Sequence, residues 1–264
     1  MNRIVISLAA VAVLAAVGGT ALAQQQAKPA PTGYLGEAAP DSYKILPPAP
    51  TPGTIRYQAD RSAFLATRSL KDSPRWSLAT ADADEAAIVK DMSCAIGMEL
   101  TPQTAPKLTK VLMTARYDVR RAVNHPKDIY KRQRPYLIDE GEICVAKTDG
   151  LAKSPDYPSG HTTWGWTVGL ILAELVPERS TEILARARSF GESRLICGVH
   201  NMSAVEAGRT NGAIVVAGLH GSAAFRADMD AARKELAALR KSAKVPDGAA
   251  CAAEAALIGK SPYN

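Results

Sequence analysis

The stretch from Trp164 to Val176 constrains the fold more than any other part of this chain. It is almost entirely apolar, Glu174 is its only charged residue, and Pro177 follows it directly. An apolar run of this length that ends at a proline indicates a helix that is buried on most of its sides. We therefore expect this segment to be the central helix of the fold.

Helical periodicity also marks the segments around this run. Apolar residues recur at steps of four and three after Pro106, which predicts one buried helix face. The residues on that face are Leu108, Leu112, Ala115, Val119 and Ala122. A further helix is predicted from Thr181 to about Gly198, and a last one from Val205 to Leu239, kinked or split around Gly218 to Gly221. Because no run alternates apolar and polar residues, we predict an all-α, single-domain helical bundle.

A shorter helix is predicted upstream of these. It runs through Ile88 and Ile96 and ends at Gly97, a residue type that favours helix ends. Asp82 and Asp84 precede it, and either carboxylate can accept hydrogen bonds from the first N–H groups of a helix.

The first 23 residues have the composition of a secretory signal peptide. Arg3 gives a positive start, residues 4–17 carry no charge, and alanines at 21 and 23 suit cleavage before Gln24. We therefore expect residues 1–23 to be removed and the mature protein to be periplasmic or secreted. A membrane anchor is the disfavoured alternative, because a stable span needs about 20 apolar residues.

The remaining chain divides into an arm and one domain. Residues 24–53 contain seven of the 17 prolines and few bulky apolar residues, so they are predicted to form an extended arm. Within it, Leu46-Pro47-Pro48 can still lie across the folded body. Residues 54–264 have a length that is typical of a single domain with a substantial core.

Composition excludes several function classes. The net charge is +6, but no run of five Lys/Arg residues occurs and aromatic residues are only 5%, so nucleic-acid binding is not expected. After the signal peptide no uncharged stretch reaches 18 residues, which argues against membrane spans.

The four cysteines suit an oxidising compartment. Cys94, Cys144, Cys197 and Cys251 can form two disulfides, and three pairings are possible. A buried free thiol is the alternative for Cys197. Because the spacing contains no Cys-x2-Cys pair, no metal site is predicted.

Three short blocks between residues 127 and 200 bring together chemistry that suits a tetrahedral oxyanion. The blocks are Lys127-x6-Arg134-Pro135, Pro158-Ser159-Gly160-His161 and Ser193-Arg194-x5-His200. Three basic side chains and the donors of a glycine turn bind phosphate well. Of the two histidines, one can attack phosphorus as a neutral imidazole while the other protonates the leaving oxygen.

The order and spacing of these blocks resemble the signature of the bacterial class A non-specific acid phosphatases. This family belongs to the type 2 phosphatidic acid phosphatase superfamily, together with the vanadium haloperoxidases. The likeness runs from about Leu46-Pro47-Pro48 through Arg75-Trp76 and residues 80–84 to residues 191–198, and so covers most of the mature chain. It implies an exported acid phosphatase that hydrolyses a broad range of small phosphomonoesters, needs no cofactor or metal, and works best at acidic pH.

The resemblance also implies a role for each site residue. His200 would be the nucleophile that forms a phosphohistidine, and His161 would act first as a general acid and then as a general base. The phosphate oxygens would be held by Lys127, Arg134, Ser159, Gly160 and Arg194. Transfer of phosphate to alcohols is an expected side activity, since a covalent intermediate can react with acceptors other than water. Self-association is left open.

One position departs from the family pattern. Four residues after the nucleophilic histidine the family has an aspartate that orients the imidazole, whereas this chain has Ala204. Losing an orienting aspartate costs about 10⁴ in turnover in serine proteases, which sets an upper limit for the expected loss. A backbone carbonyl, the Ser203 hydroxyl or a water can serve instead.

The departure defines the alternatives to an acid phosphatase with slowed turnover. In the first alternative the site binds phosphate without hydrolysing an ester, and a substitution of Ala204 by aspartate would then create activity. In the second, less favoured alternative the residues that would hold phosphate bind vanadate instead, as in the haloperoxidases, which are much longer chains. Lipid phosphatases of the superfamily are disfavoured because they place the same blocks among membrane spans.

Overall fold

The computed structural model describes residues 32–263, so the predicted signal peptide lies outside the described residues. The helices are α1 (Ser42–Ile45), α2 (Ile55–Thr67), α3 (Pro74–Ala81), α4 (Ile88–Asp91), α5 (Ser93–Ile96), α6 (Pro106–Tyr130), α7 (Asp149–Lys153), α8 (Gly160–Leu175), α9 (Ser180–Ile196), α10 (Met202–Leu219), α11 (Ala223–Leu239) and α12 (Gly248–Ile258). Short 3-10 segments occur at Gly36–Ala38, Arg68–Leu70, Glu85–Ala87, Pro135–Leu137 and Pro177–Arg179. Residues 32–263 contain no strand, and the predicted all-α, single-domain fold is confirmed.

Helix α8 is the central helix, as predicted. It begins after Ser159, whose hydroxyl accepts a hydrogen bond from the Thr162 N–H (3.2 Å), and it ends before Pro177. It packs mainly against α9 and α10. The approach to α9 requires a glycine, because a Cβ on Gly169 would lie 2.4 Å from the Cβ of Ala187. Close packing of these three helices gives the site a rigid support.

Helix α6 confirms the second predicted helix. It starts at Pro106, and the five residues predicted for its inner face are all buried. Its last turns carry Pro126 and Lys127, and Lys131, which follows its last residue, adopts a left-handed conformation with φ of 46°. The chain therefore turns sharply just before Arg134.

Two predictions for helix boundaries have different outcomes. The stretch from Val205 to Leu239 is split into α10 and α11, as predicted. The helix predicted through Ile88 and Ile96 is wrong as a continuous element, because it is divided into a 3-10 segment, α4 and α5. Asp84 caps the 3-10 segment through the Ala86 N–H (2.9 Å).

Two disulfides join distant parts of the described chain. Cys94 pairs with Cys251, and Cys144 pairs with Cys197, so the free-thiol alternative for Cys197 is wrong. The first bond ties helix α12 to the body of the domain. Helix α12 was not predicted.

The described part of the N-terminal arm is bound to the helical body. The backbone N–H groups of Tyr34 and Leu35 donate to the Asp118 carboxylate of α6 at 2.8 and 3.1 Å. Further along, Leu46 is buried in a small apolar cluster that includes Tyr157. No helix among residues 32–263 is long and apolar enough to cross a bilayer.

Candidate functional site

The fold brings the three sequence blocks to one buried place. Lys127 lies in the last turn of α6, and Arg134 lies in the loop that follows. Ser159 caps α8, whose first turn contains Gly160 and His161. Arg194 lies in the last turn of α9, and His200 precedes α10. All of these side chains except the glycine are at most 8% exposed.

Both ring nitrogens of His200 have partners that define its tautomer. Nε2 lies 3.2 Å from Nη1 of Arg134, and Nδ1 lies 2.9 Å from Oδ1 of Asp156. A guanidinium can only donate and a carboxylate can only accept. The proton of a neutral His200 therefore resides on Nδ1, and the lone pair of Nε2 faces the basic side chains.

The electrostatic surroundings keep His200 neutral. Burial lowers the pKa of His200 well below its ordinary value, and the charges of Arg134, Lys127 and Arg194 lower it further. The imidazole consequently retains its lone pair in acidic solution, where an exposed histidine would be protonated.

Lys127 and Arg134 donate hydrogen bonds to the loop at residues 154–155, whereas Arg194 has donors without a partner in the described structure. Lys127 donates to the carbonyl of Pro155, and Arg134 donates through Nε to the carbonyl of Ser154 at 2.8 Å. Within the described residues, Nε and Nη1 of Arg194 are buried without a hydrogen-bond partner. Unpaired buried donors are costly unless a ligand accepts from them, so these atoms indicate an anion site.

The electrostatics of two of these cations also fit an anion site. Burial and the neighbouring Arg134 charge lower the pKa of Lys127 to about 8 and that of Arg194 to about 10. Both side chains therefore stay cationic at acidic and neutral pH, and a bound anion would offset the repulsion between each of them and Arg134.

The turn at the start of α8 is held against α10. The N–H of Ser159 donates to the carbonyl of Ala204 at 2.9 Å. A Cβ on Gly208 would lie 2.8 Å from the Ser159 carbonyl oxygen, so α10 needs a glycine to come this close. The start of α8, which contains Gly160 and His161, is the positive end of the helix dipole and therefore favours a bound anion.

In the described structure one ring nitrogen of His161 has a hydrogen-bond partner and the other has none. Its Nδ1 lies 3.1 Å from Oε1 of Glu85, and its ring stacks on Phe190 with centroids 4.3 Å apart. Within the described residues, its Nε2 is buried without a partner. Burial and the charge of Arg194 lower the pKa of His161 to about 4, although Glu85 opposes this shift.

Glu85 contacts His161 and also lines a cavity. Burial would raise the pKa of Glu85, but the hydrogen bond and charge of His161, together with the Arg116 guanidinium, lower it to about 2. Glu85 is also one of the residues that line a cavity of about 1200 Å³, together with apolar residues such as Ile88 and Met113 and basic residues such as Arg116. Glu85 is therefore ionised and reachable from solvent.

The two carboxylates that contact the histidines were both missed in the sequence. Asp156 stands three residues before Ser159, and this proximity was the only signal for it. Glu85 lies 76 positions before His161, in a segment predicted as ordinary helix, and no pattern pointed to it. The Ser203 hydroxyl, considered as a partner for His200, donates to Asp60 instead.

Comparison with known proteins assigns the family. Residues 111–227, which contain all the candidate site residues predicted from the sequence, match the PAP2 superfamily. An acid phosphatase of Zymomonas mobilis is 44% identical over 81% of this chain and 82% of its own length. Non-specific acid phosphatases of Providencia stuartii and Salmonella typhimurium are 37% and 35% identical, each over 76% of this chain and 83% and 82% of their own lengths.

This chain belongs to the non-specific acid phosphatases of the PAP2 superfamily. The predicted family and enzyme class are thus confirmed. The superfamily match begins within α6, so it includes the basic and histidine blocks of the phosphatase but not Glu85.

Proposed function

We propose that this phosphatase hydrolyses small phosphomonoesters through a phosphohistidine at His200. The observation that carries the proposal is the state of three buried side chains, His200, His161 and Arg194. The Nε2 lone pair of His200 faces the guanidinium of Arg134. Nε2 of His161 and two donors of Arg194, Nε and Nη1, have no hydrogen-bond partner in the described structure. A phosphoryl group between them would accept hydrogen bonds from Arg194 and from a protonated His161, and its phosphorus would face Nε2 of His200.

In the first half of the reaction Nε2 of His200 attacks phosphorus. The bond from phosphorus to the ester oxygen breaks, and its electron pair goes to that oxygen, which takes the proton of Nε2 of His161. Lys127, Arg134 and Arg194 then bind the three equatorial oxygens, with the Ser159 hydroxyl and the Gly160 N–H as further donors. Fixed cations stabilise the transition state here, since charge is spread over these oxygens.

The second half of the reaction reverses these roles. His161, now neutral, accepts a proton from a water that attacks phosphorus. The bond between phosphorus and Nε2 of His200 breaks, its electron pair returns to the nitrogen, and inorganic phosphate leaves. An alcohol in place of water would give transfer of the phosphoryl group, which we propose as a side activity.

Substrate binding should raise the pKa of His161, which is low in the ligand-free site. Without a ligand the imidazolium is disfavoured by burial and by Arg194. A phosphate dianion in the cradle offsets the positive charge around it and raises the pKa of His161. His161 can therefore hold a proton at the moment when the leaving group needs one.

We also propose that residues 1–23 direct export and are then cleaved. Support comes from the composition of that segment and from the two disulfides, because such bonds persist in oxidising compartments. The names of the relatives favour a phosphatase over a haloperoxidase or a binding protein that lacks turnover.

The decisive experiment is rapid quenching with a labelled phosphomonoester. We expect acid-labile, base-stable phosphate on His200 of the wild type and none in His200→Ala. The matched control is His125→Ala, since His125 is an exposed histidine paired with Asp41 and should not affect labelling. Undiminished phosphate release by His200→Ala would overturn the assignment of the nucleophile.

A further inference from the structure

We infer that Asp156 is the positioning residue of His200, in place of the aspartate that the family pattern has at position 204. The inference rests on the proposed role of His200 as nucleophile and adds a residue from a different part of the chain. Three observations support it, namely the hydrogen bonds of Asp156, its confinement and the surroundings of Ala204. The charge that the proposed reaction creates explains why a carboxylate is needed.

The Asp156 carboxylate is aimed at His200 by a complete set of donors. Oδ1 accepts from Nδ1 of His200 (2.9 Å) and from the Asn201 N–H (3.1 Å). Oδ2 accepts from Nδ2 of Asn201 at 2.9 Å and lies 3.4 Å from Nη1 of Arg132. Every contact comes from a donor, so protonating Asp156 would break one of these hydrogen bonds. Although burial raises the pKa of Asp156, Arg132 and Asn201 oppose the rise.

The backbone around Asp156 is fixed as firmly as its side chain. Its N–H donates to the carbonyl of Arg132 at 2.8 Å, and its side chain is fully buried. Three residues later Ser159 starts the central helix. The loop that contributes to the phosphate cradle therefore also carries the carboxylate, and the two cannot move independently.

Position 204 performs another task in this chain. The Ala204 side chain is fully buried in an apolar cluster with Leu46, Tyr157 and Ala207. Its carbonyl anchors the Ser159 N–H. A carboxylate at position 204 would enter an apolar environment, which is costly. It would also compete with Asp156 for the single N–H of the His200 imidazole. Because Asp156 already accepts from that N–H, we expect alanine at 204 to be compatible with full activity.

The chemistry explains why a carboxylate is needed. Attack through Nε2 turns a neutral imidazole into a phosphoimidazolium with a positive charge, in a site already surrounded by cations. Asp156 keeps the proton on Nδ1, so Nε2 retains its lone pair, and it then offsets the new charge. In the proposed mechanism Asp156 acts on His200 and not on the phosphate oxygens, so its contribution should appear in kcat.

The chain contains a matched control in Asp60. This carboxylate is also fully buried and also pairs with Arg132, at 2.6 Å, but its other contacts go to Ser203 and not to a histidine. Asp60→Asn perturbs the same network without touching His200. A comparison of the two isosteric variants separates positioning from stability.

The test compares Asp156→Asn and Asp60→Asn with the wild type. For Asp156→Asn we expect kcat and the rate of phosphohistidine formation to fall by about 10²–10⁴, by analogy with the orienting aspartate of serine proteases. The Kd for inorganic phosphate should be unchanged or lower, because a negative charge near the cradle has been removed. Asp60→Asn should retain most of its kcat even if its thermal stability falls.

A spectroscopic measurement tests the same inference without activity. In ¹⁵N-labelled wild type we expect His200 to be protonated at Nδ1, and the same in Asp60→Asn, whereas Asp156→Asn should show a mixture of tautomers. A wild type protonated at Nε2 would overturn the inference even if the variant failed to fold.

Other outcomes distinguish failure of this inference from failure of the proposed function. If the wild type forms phosphohistidine and Asp156→Asn forms it equally fast, the positioning role is wrong and the proposed function stands. If the wild type forms none, the proposed function fails. Ala204→Asp should give no gain in kcat. A clear gain would show that Asp156 is not the positioning residue of His200.

Discussion

The two histidines of the site are each paired with a carboxylate, but the two pairs are built differently. Asp156, the partner of His200, has no exposed surface and is surrounded by donors. Glu85, the partner of His161, is 32% exposed, lines a large cavity and also forms an ion pair with Arg116. The distances to the imidazoles are nevertheless similar, 2.9 and 3.1 Å.

The difference corresponds to the role that we propose for each histidine. A nucleophile needs one fixed tautomer throughout the cycle, and a sealed carboxylate provides that. A general acid and base must exchange its proton once per turnover, which is easier when its partner stays in contact with water. Two similar contacts therefore support different chemistry, because the environment of the carboxylate decides how the imidazole behaves.

The largest expected effect that tests this division of roles comes from His161→Asn. Loss of the general acid should lower kcat by about 10²–10⁴ for an alkyl phosphate, whose leaving oxygen needs a proton. A nitrophenyl phosphate has a much better leaving group and should lose far less. The measurement is kcat for the two substrates with the variant and the wild type.

The control for this prediction is His220→Asn. His220 is also paired with a glutamate, Glu174 at 3.1 Å, but it lies at the end of α10 and is 45% exposed. Neither substrate should be affected. An equal loss for both substrates in His161→Asn would contradict the role of His161 as acid.

A second prediction concerns stability in acid. The pKa of His161 is about 4 in the folded, ligand-free protein and near 6.5 when unfolded, so the unfolded state binds more protons between these values. Stability should therefore fall as the pH drops from 6.5 towards 4, by about 3 kcal/mol from His161 alone. Urea unfolding at several pH values measures this fall, which should be smaller in His161→Asn. A fall of equal size in the variant would contradict the assignment to His161.

Much of this fold could be predicted because apolar residues follow the helical period. The central helix and the buried face of α6 were found in this way, and the break between α10 and α11 was indicated by glycines. The segment after Asp84 was harder, since its apolar residues repeat at helical spacing while the backbone breaks at Met92. Helix α12 has alanines on all sides, so it showed no periodic face.

The site was predictable to the extent that its residues form local patterns. The basic residues and histidines occur in compact blocks with recognisable spacing. Asp156 and Glu85 belong to no block, because a carboxylate that contacts a histidine can come from any segment that the fold brings near. Consequently the missing aspartate at 204 predicted slowed turnover, whereas the structure places another carboxylate on the same imidazole.

The smallest expected effect comes from Glu85→Gln. Glutamine keeps the size of the side chain and can still accept from Nδ1 of His161, but the negative charge that raises the pKa of His161 is lost. His161 should then release its proton at lower pH, so the alkaline limb of the kcat profile should move to lower pH. Glu174→Gln is the control, since it removes the same charge beside His220 and should leave the profile in place. An unmoved limb in Glu85→Gln would mean that the partly exposed carboxylate only holds the ring, and the contrast between the two pairs would then be one of burial and not of function.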